Sequence, residues 1–370
     1  MIPVTRPCLS EQDASAVHNQ ISTGWISSEG PCVREFETDF SSYIGMDDGV
    51  SVTNGTAALD VVLKAIDLPP GSEVVVPAMN IASCLNGILQ NGYKPVFVDC
   101  DINDYNAHLE SYVEKINSKT GAIIATHIYG LASDIKKLEE YCDARNVVLI
   151  EDTAQAIGLK ISDQNAGSFG RYSTFSFYPN KMITTGEGGM VLVKRQEDAK
   201  KLRKIRNLSF DENRRFYHDD FSTNSRLTNI QAALGCSQLK RIDQFISHRK
   251  LLGNIYRASL SRYLDLQLPL ENNAFSENCY WAYPVVIWNN DLREKVLSAL
   301  RENQIGFRTF FYPLNRQPGL KKYNYEVIDN CENAERLYKS GFYLPIGNGI
   351  EEVEVNQVCE IVADTIEKWK

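Results

Sequence analysis

Between residues 50 and 193, short apolar runs rich in β-branched side chains alternate with longer amphipathic stretches. This alternation constrains the fold more than any other feature of the sequence. Continuous apolar runs of this length are typical of strands buried on both faces, and the stretches between them are typical of the helices that cover such strands. Seven runs fit this description, at residues 50–53, 74–77, 95–99, 122–125, 147–150, 173–177 and 190–193. The pattern predicts an α/β fold with a mostly parallel, seven-stranded sheet.

Length and periodicity predict two domains. The chain has 370 residues, which is more than a single hydrophobic core usually organises. Beyond residue 240, helical patterns occupy 242–263, 291–303 and the stretch from 353 onward, and short strand patterns lie near 281–288 and 307–311. We therefore predict a large domain over residues 1–240 and a smaller C-terminal α/β domain over residues 241–370. The first forty residues, in which Gly24 and Gly30 flank Ser27 and Ser28, are expected to form an arm or loop rather than part of the core.

Charge and cysteine content limit the classes of partner. The net charge of −8 disfavours nucleic acid and anionic membranes. No stretch approaches the roughly 20 apolar residues of a membrane-spanning helix, and the first residues lack the apolar core of a signal peptide. The nine cysteines are scattered without a C-x-x-C pair, which argues against a disulfide framework and a metal site. We expect a cytoplasmic protein with no nucleic-acid or membrane partner and no metal.

The end of the first predicted strand suggests an anion site. The strand runs into Asn54, Gly55 and Thr56, which begin a helix-forming sequence. Free backbone N–H groups and the positive end of a helix dipole bind anions at such a junction, and a threonine hydroxyl can add a hydrogen bond. An ordinary strand-to-helix turn has the same pattern. The segment lacks the G-x-x-x-x-G-K-[ST] and G-x-G-x-x-G patterns, so it predicts neither a P-loop nor a dinucleotide fingerprint.

Two other strand ends carry groups suited to chemistry on a small ligand. Asp152 follows Glu151 at the end of a buried strand, where a carboxylate is costly unless a positive group, such as a cationic ring nitrogen, compensates it. The alternative is a helix cap, and Glu151 is the better candidate for a structural role. Lys181 follows strand 173–177 and precedes a loop rich in threonine and glycine. Burial would lower its pKa and free the amine for imine formation, whereas a lysine in a loop taken alone is usually solvated.

Four motifs in the same order resemble the sugar aminotransferases of the DegT/DnrJ/EryC1/StrS family. They are Asn-Gly-Thr-Ala-Ala-Leu at 54–59, Glu-Asp-x-Ala-Gln-Ala at 151–156, Ser-Phe-x-x-x-Lys at 176–181 and Thr-Thr-Gly-Glu-Gly-Gly at 184–189. The resemblance extends from residue 24 to residue 345. It implies the aspartate-aminotransferase fold (PLP fold type I), with pyridoxal 5′-phosphate as cofactor and pyridoxamine phosphate as its intermediate form.

Carried over onto this sequence, the resemblance implies a role for each motif. Lys181 would hold the cofactor as a Schiff base and would move a proton between the amino donor and the cofactor. Asp152 would pair with the pyridinium nitrogen, and Gln155 would lie beside the phenolic oxygen. The cofactor phosphate would be held by Gly55, Thr56 and Ser176.

The resemblance also has implications for the partner subunit and the substrate. Ile81 takes the place of an aromatic residue that stacks on the cofactor ring in many family members. Asn224 matches the residue that reaches the cofactor phosphate from the neighbouring subunit, which implies a homodimer with the active site at the interface. The chain is most similar to members that aminate C4 of GDP-4-keto-6-deoxymannose with glutamate, for O-antigen and related glycans. Departures at Pro179 and Asn315-Arg316 bear on the sugar, so dTDP- or UDP-linked keto-sugars aminated at C3 or C4 are the alternatives.

Four further residues are candidates for substrate binding. His127 follows a predicted strand, and a hydrogen-bonded core histidine is the alternative. His218 lies in a polar stretch typical of a mobile loop. Arg308 can form a bidentate contact with phosphate or carboxylate, and Tyr312 can donate to a sugar or phosphate oxygen. A solvated arginine and a packing tyrosine are the alternatives for this pair.

Three other functions compete with sugar amination. A dehydratase on the same fold carries histidine in place of Lys181. A nicotinamide-dependent sugar oxidoreductase would carry the glycine fingerprint that this chain lacks. A non-catalytic regulatory protein on the same fold would have no reason to retain Lys181, Asp152 and Gln155 together. The sequence therefore favours an aminotransferase.

Overall fold

A seven-stranded sheet forms the centre of the computed structural model, which describes residues 1–211, 214, 216–325 and 329–369. Its strands are β1 (Asp48–Val52), β2 (Glu73–Pro77), β3 (Lys94–Val98), β4 (Thr120–Thr126), β5 (Val148–Asp152), β8 (Tyr172–Ser176) and β9 (Gly189–Val193). The short strands β6 (Lys160–Ile161) and β7 (Gln164–Asn165) pair with each other between β5 and β8. The strand order is β1-β9-β8-β5-β4-β2-β3, and β9 runs against the other six. The predicted α/β fold with a mostly parallel, seven-stranded sheet is confirmed.

Helices cover both faces of this sheet. They are α1 (Glu11–Thr23), α2 (Pro31–Ile44), α3 (Gly55–Ala65), α4 (Ser83–Gln90), α5 (Leu109–Val113), α6 (Ile135–Asp143), α7 (Gln196–Arg206) and α8 (Asn229–Leu239). Successive side chains of a strand point to opposite faces. Accordingly, Val74 and Val76 of β2 pack into the core on one face, and Val75 packs into the core on the other. Burial on both faces explains why the strands are continuously apolar.

The expectation that the first forty residues form an arm or loop is wrong. They form α1 and most of α2, and Phe36 and Phe40 of α2 are fully buried. The ring of Phe40 packs edge-on against Phe175 and Phe177, with centroids 4.9 and 5.2 Å away. Phe177 leads into the loop that contains Lys181, so α2 packs against the base of this loop.

The two glycines that suggested a loop are helix boundaries. Gly24 is the left-handed C-cap of α1, with φ of 78°, and Gly30 is the N-cap of α2, which has Pro31 in its first turn. Ser10 and Asp13 form a reciprocal capping box at the start of α1. Glycine and proline at these positions are typical helix signals as well as loop signals.

The C-terminal part of the chain builds a second, three-stranded sheet. Its elements are α9 (Ile242–Leu260), β10 (Tyr283–Val286), α10 (Asn290–Glu302), β11 (Arg308–Thr309), α11 (Glu332–Ser340), β12 (Gly341–Leu344) and α12 (Glu352–Trp369). The strand order is β10-β12-β11, with antiparallel pairing throughout. The strands predicted near 281–288 and 307–311 are β10 and β11, and β12 is additional. The division at residue 240 stays a prediction.

The α-helices of the described part of the chain range in length from five residues in α5 to 19 residues in α9. None of them, over residues 1–211, 214, 216–325 and 329–369, is both long enough and apolar enough to cross a bilayer. The longest helices, α9 and α12, alternate buried apolar positions with exposed polar ones.

Candidate active site

A pocket of about 460 Å³ opens where β5 and β8 end at the carboxyl edge of the large sheet. Ligands of parallel α/β sheets bind at this edge, and the volume lies in the range of small-molecule sites. Seven of the eight residues predicted to bind the cofactor line it, namely Gly55, Thr56, Ile81, Asp152, Gln155, Ser176 and Lys181. The strand ends have therefore brought together residues that are up to 126 positions apart, from 55 to 181.

One end of the pocket is the N-terminus of α3. The side chain of Asn54 caps this helix by accepting a hydrogen bond from the N–H of Ala57 (2.8 Å). The N–H groups of Gly55 and Thr56 belong to the first turn, where no preceding helical carbonyl can accept them. A Cβ on Gly55 would lie 2.9 Å from the Cβ of Ser176, so glycine allows the helix to begin against the end of β8. Free donors and the helix dipole make this end suitable for a phosphate.

Asp152 lies in the middle of the pocket wall at the end of β5. It is 3% exposed, and its carboxylate accepts a hydrogen bond from the N–H of Ala154 (3.1 Å). The thiol of Cys84 lies 3.8 Å from the other carboxylate oxygen. Burial raises the pKa of Asp152 above its usual range, and the Ala154 N–H and the positive charge of Lys181 compensate only in part. A further cationic partner would stabilise the ionised carboxylate.

Glu151 faces away from the pocket, because neighbouring residues on a strand point to opposite faces. Its carboxylate accepts hydrogen bonds from His127 Nε2 (2.9 Å) and from the N–H groups of Gly167 (2.6 Å) and Phe169 (2.9 Å). Burial alone would raise the pKa of Glu151, but these donors outweigh it and lower the pKa. The structural role expected for Glu151 agrees with this geometry.

The substrate-binding role considered for His127 is contradicted by its position. The side chain is fully buried and does not line the pocket. Its Nε2 contacts Glu151, and its Nδ1 lies 3.2 Å from the N–H of Ser133 and accepts from it. Both ring nitrogens are thus occupied, and His127 is a hydrogen-bonded core histidine. Sequence reasoning could not distinguish the two roles, since they differ only in the direction of the side chain.

Lys181 lies opposite Asp152 in the loop after β8. Its Nζ is 4.4 Å from the centroid of the Trp281 ring, which comes from the segment before β10. Removal from water lowers the pKa of Lys181 to about 8, although the charge of Asp152 acts in the opposite direction, and the charge of Arg249 adds to the lowering. An amine with this pKa is partly neutral near physiological pH and can attack an aldehyde.

Comparison with known proteins identifies the family. The DegT/DnrJ/EryC1/StrS aminotransferase family matches residues 7–363. The chain belongs to this family. Among its relatives, a GDP-perosamine synthase from Vibrio cholerae is 34% identical over 98% of both chains. A UDP-N-acetyl-3-dehydro-alpha-D-glucosamine 3-aminotransferase from Acidithiobacillus ferrooxidans is 31% identical over 90% of this chain and 88% of its own.

Solved structures agree with this membership. The crystal structure of aminotransferase TlmJ from Streptoalloteichus hindustanus superposes with a TM-score of 0.93, at 27% identity and with both chains covered completely. The expected DegT/DnrJ/EryC1/StrS membership and PLP fold type I are confirmed. The function class is confirmed with them: the protein is an aminotransferase that depends on pyridoxal phosphate.

The residues of the pocket fit the cofactor of this aminotransferase family. An aldehyde-reactive amine, a carboxylate for a ring nitrogen and an anion-binding helix end lie around one cavity. Ile81 is 47% exposed and adds an aliphatic surface to the pocket lining, and its contact with the cofactor ring stays a prediction. The amide oxygen of Gln155 accepts the N–H of Tyr129 (3.1 Å), so its NH2 group is the end available to a ligand oxygen. The hydroxyl of Thr174 is buried in the same wall without a hydrogen-bond partner among the described residues.

Besides His127, four predicted residues lie outside the pocket: Asn224, His218, Tyr312 and Arg308. Asn224 is exposed and does not line it. His218 is half-buried, with its Nδ1 2.8 Å from the carbonyl oxygen of Leu208. Tyr312 is 43% exposed and packs edge-on against Tyr338. None of these three side chains lines the pocket, so their contact with a ligand there would require a second copy of the chain or a larger ligand.

Arg308, unlike these three residues, lies beside the pocket. It lines an adjoining cavity of about 290 Å³, whose walls share Tyr178, Asn180, Trp281 and Tyr343 with the main pocket. Its side chain is exposed. A ligand longer than the cofactor can therefore extend from the pocket towards this arginine.

Sequence reasoning missed the aromatic wall of the site. Trp281, Phe311 and Tyr343 line the pocket and come from the C-terminal part of the chain. Tyr129 packs between Trp281 and Phe311, with centroids 6.0 and 5.7 Å away. A Cβ on Gly130 would lie 2.9 Å from the N of Trp281, so this glycine allows the two chain segments to meet. The sequence signal for this wall is the segment His-Ile-Tyr-Gly at 127–130, which contains Tyr129 and Gly130.

Proposed function

We propose that the protein aminates C4 of a nucleotide-linked 4-keto-6-deoxy sugar, with glutamate as amino donor and GDP-4-keto-6-deoxymannose as the acceptor. The product would be GDP-perosamine for O-antigen or a related glycan. The observation that supports catalysis is the position of Lys181, whose amine has a pKa of about 8 in a pocket shared with Asp152 and the start of α3. A regulatory protein would not need a lysine with this lowered pKa.

The acceptor is proposed from similarity. The relative from Vibrio cholerae carries the name GDP-perosamine synthase and is 34% identical over almost the whole chain. The second candidate is amination of C3 of a UDP-linked sugar, because the relative from Acidithiobacillus ferrooxidans is named for that position at 31% identity. The departures at Pro179 and Asn315 concern this choice. Asn315 is fully buried, and its side-chain N–H donates to the carbonyl oxygen of Asp329 (3.1 Å), so it is unsuited to contact the sugar.

Each residue of the pocket has a distinct proposed task. Bound pyridoxal phosphate supplies an aldehyde that carries the amino group and a ring that accepts electrons. Lys181 holds this aldehyde and, once displaced by the donor, moves a proton at the donor's α-carbon. Asp152 keeps the ring nitrogen protonated. The start of α3 and the hydroxyl of Ser176 orient the phosphate, so that the reacting atoms stay within reach of Lys181.

Histidine at the lysine position could not hold the cofactor aldehyde as a Schiff base, because an imidazole has no primary amine. The chain has lysine at residue 181, so a dehydratase, which carries histidine there, is disfavoured. General acid–base help from a positioned group typically contributes about 10²–10⁴-fold. Lys181 is the residue from which we expect this contribution.

The active site is proposed to be completed by a second copy of the chain. Asn224, the predicted phosphate ligand from the neighbouring subunit, is exposed and lies outside its own pocket. Phe221, three residues before Asn224, is 82% exposed, and Trp25, two residues before Ser27, is 53% exposed. Ser27 lines one groove together with Asn207, and Asn207 forms an isolated β-bridge with Asn224. Exposed aromatic residues clustered in this way are typical of a protein–protein interface.

The experiment that tests this function is a spectrophotometric titration of the purified protein loaded with pyridoxal phosphate. Glutamate should remove the absorption band of the cofactor held on Lys181, and GDP-4-keto-6-deoxymannose should restore it. Parallel samples receive dTDP- and UDP-linked keto-sugars. Restoration by one of these alone would identify a different acceptor and retain the aminotransferase. A band that persists in glutamate would contradict glutamate as the donor.

A further inference from the structure

Arg249 is the largest fully buried side chain of the described residues, and it lies directly behind Lys181. It belongs to α9 and is 1% exposed. Its Nη2 donates to the carbonyl oxygens of Asn180 (3.2 Å) and Lys181 (3.0 Å). Its Nη1 donates to the carbonyl oxygen of Trp281 (2.8 Å), the residue whose ring contacts the lysine amine. One guanidinium therefore fixes both the backbone of Lys181 and the aromatic ring beside its Nζ.

Asn348 extends this support to a third carbonyl. Its Oδ1 accepts a hydrogen bond from Arg249 Nε (2.7 Å), and its Nδ2 donates to the carbonyl oxygen of Met182 (2.7 Å). The carbonyls of residues 180, 181 and 182 are thus all held by two side chains from the C-terminal part of the chain. A lysine has four rotatable bonds of its own, so a fixed backbone is needed to give its amine a defined position.

The charge of Arg249 has no compensating carboxylate. Within the described residues no Asp or Glu oxygen lies within ion-pair distance of it, and its partners are carbonyl and amide oxygens. Burial lowers the pKa of this guanidinium to about 10, which still leaves it positive at neutral pH. A buried, unpaired positive charge is costly, and a purely structural anchor could be built from neutral groups at lower cost.

We infer that Arg249, together with Asn348, is a positioning residue for Lys181 that holds its backbone and places a positive charge behind its side chain. The inference rests on the proposed function, in which Lys181 attaches the cofactor. The charged side chains around the amine are Asp152 from β5, Glu187 from the loop before β9 and Arg249 from α9. Asp152 favours the protonated amine, and Arg249 opposes it.

The two effects of Arg249 can be separated by two variants. Arg249→Met removes the hydrogen bonds and the charge. Asn348→Ala removes the contacts with Met182 and Arg249 Nε but leaves the charge. Arg257→Met is the matched control, because Arg257 lies two turns further along α9, pairs with Glu271 and does not touch the Lys181 loop.

The experiment measures how fast the cofactor-free protein attaches pyridoxal phosphate, as a function of pH. The attachment rate of the wild type should rise with pH to a plateau, with a midpoint at the pKa of the Lys181 amine. In Arg249→Met this midpoint should rise by about one pH unit, and the plateau rate should fall about tenfold or more. In Asn348→Ala the plateau should fall while the midpoint stays at the wild-type value. Arg257→Met should match the wild type in both. Circular dichroism and thermal unfolding of each cofactor-free protein show whether it is folded.

Each outcome decides a separate question. A folded Arg249→Met protein with wild-type midpoint and plateau would overturn the inference. If Arg249→Met does not fold, an unchanged plateau in Asn348→Ala overturns the positioning role by itself. Failure of the wild-type protein to attach the cofactor would instead contradict the proposed function, independently of Arg249.

Discussion

The pKa of Lys181 leads to a prediction at the scale of single residues. An exposed lysine amine gains reactivity up to pH values above 10, whereas burial lowers the pKa of Lys181 to about 8. The neutral amine is the reactive form, so its fraction rises with pH and reaches one half near the pKa. The rate of cofactor attachment to the cofactor-free wild type should therefore level off above a midpoint near pH 8, as measured by stopped-flow absorbance.

Two variants control this measurement. Lys181→Ala should show no covalent attachment at any pH. Lys200→Ala should behave as the wild type, because Lys200 is exposed on α7 and does not line the pocket. Attachment that continues to rise beyond pH 10 in the wild type would show that the reactive amine is solvated.

The buried pair of His127 and Glu151 yields a prediction about stability. His127→Leu removes a donor from a carboxylate that has no access to water. The free energy of unfolding should fall by about 1–3 kcal/mol, because the remaining donors satisfy Glu151 only in part. Urea unfolding of the cofactor-free protein measures the loss. His18→Leu, an exposed histidine on α1, should change it by less than about 0.5 kcal/mol.

Substrate affinity separates the two roles of His127. If His127 is structural, the KM for the keto-sugar should be unchanged in the folded His127→Leu protein. A rise in KM with unchanged stability would restore the substrate-binding role.

The residues that sequence reasoning located share a simple origin. Asp152 and Ser176 end strands of one sheet, Gly55 and Lys181 follow strands of the same sheet, and parallel strands end at a common edge. No such rule predicts the positions of Trp281, Tyr343 and Arg249. Their positions depend on how the C-terminal part packs against the sheet edge, which is long-range information that a local pattern does not contain.

At the scale of the element, α3 determines how the phosphate end of the pocket is built. Alanine at residue 55 would favour the helix by up to about 1 kcal/mol over glycine. However, its Cβ would lie 2.9 Å from Ser176, so the start of the helix or the end of β8 must move. We expect Gly55→Ala to weaken cofactor binding about 5- to 100-fold, measured by fluorescence titration.

Gly319→Ala is the matched control for α3. No heavy atom lies within 4 Å of the Cβ that this substitution adds, and the residue is in a short 3-10 helix away from the pocket. It should bind the cofactor as the wild type does. Equal affinity of Gly55→Ala and the wild type would mean that the helix start does not contact the phosphate.

Elements with a strong local period were predicted more successfully than elements without one. Most strands of the large sheet, such as β2 and β9, have a continuous apolar run, because they are buried on both faces. β12 has only four residues between α11 and a loop, too few to establish a period. In α2, the apolar residues Val33, Phe36, Phe40 and Ile44 do follow helical spacing, but the flanking glycines drew the interpretation towards a loop.

At the scale of the whole molecule, the proposed dimer divides the site between two copies of the chain. Lys181 lies in the pocket of its own subunit, whereas Asn224 lies outside it. In a two-fold symmetric dimer each copy would give Asn224 to the other copy's pocket and receive one in return. The two residues of any one site would then come from different chains.

This division predicts that two inactive variants restore activity when they are combined. Lys181→Ala and Asn224→Ala should each be strongly impaired alone. When the two variants are co-refolded in equal amounts, half of the dimers are hybrids. One of the two sites in each hybrid then has both residues intact. Transamination should recover to about one quarter of the wild-type rate.

The recovery depends on the geometry of the shared site and not on dimerisation alone. Lys181→Ala mixed with Asp152→Ala is the control, because Asp152 and Lys181 line one pocket of one chain. A hybrid of these two has no intact site, so it should stay inactive. Recovery in this control, or its absence for Lys181→Ala with Asn224→Ala in a mixture shown to contain hybrids, would place Asn224 outside the partner's active site.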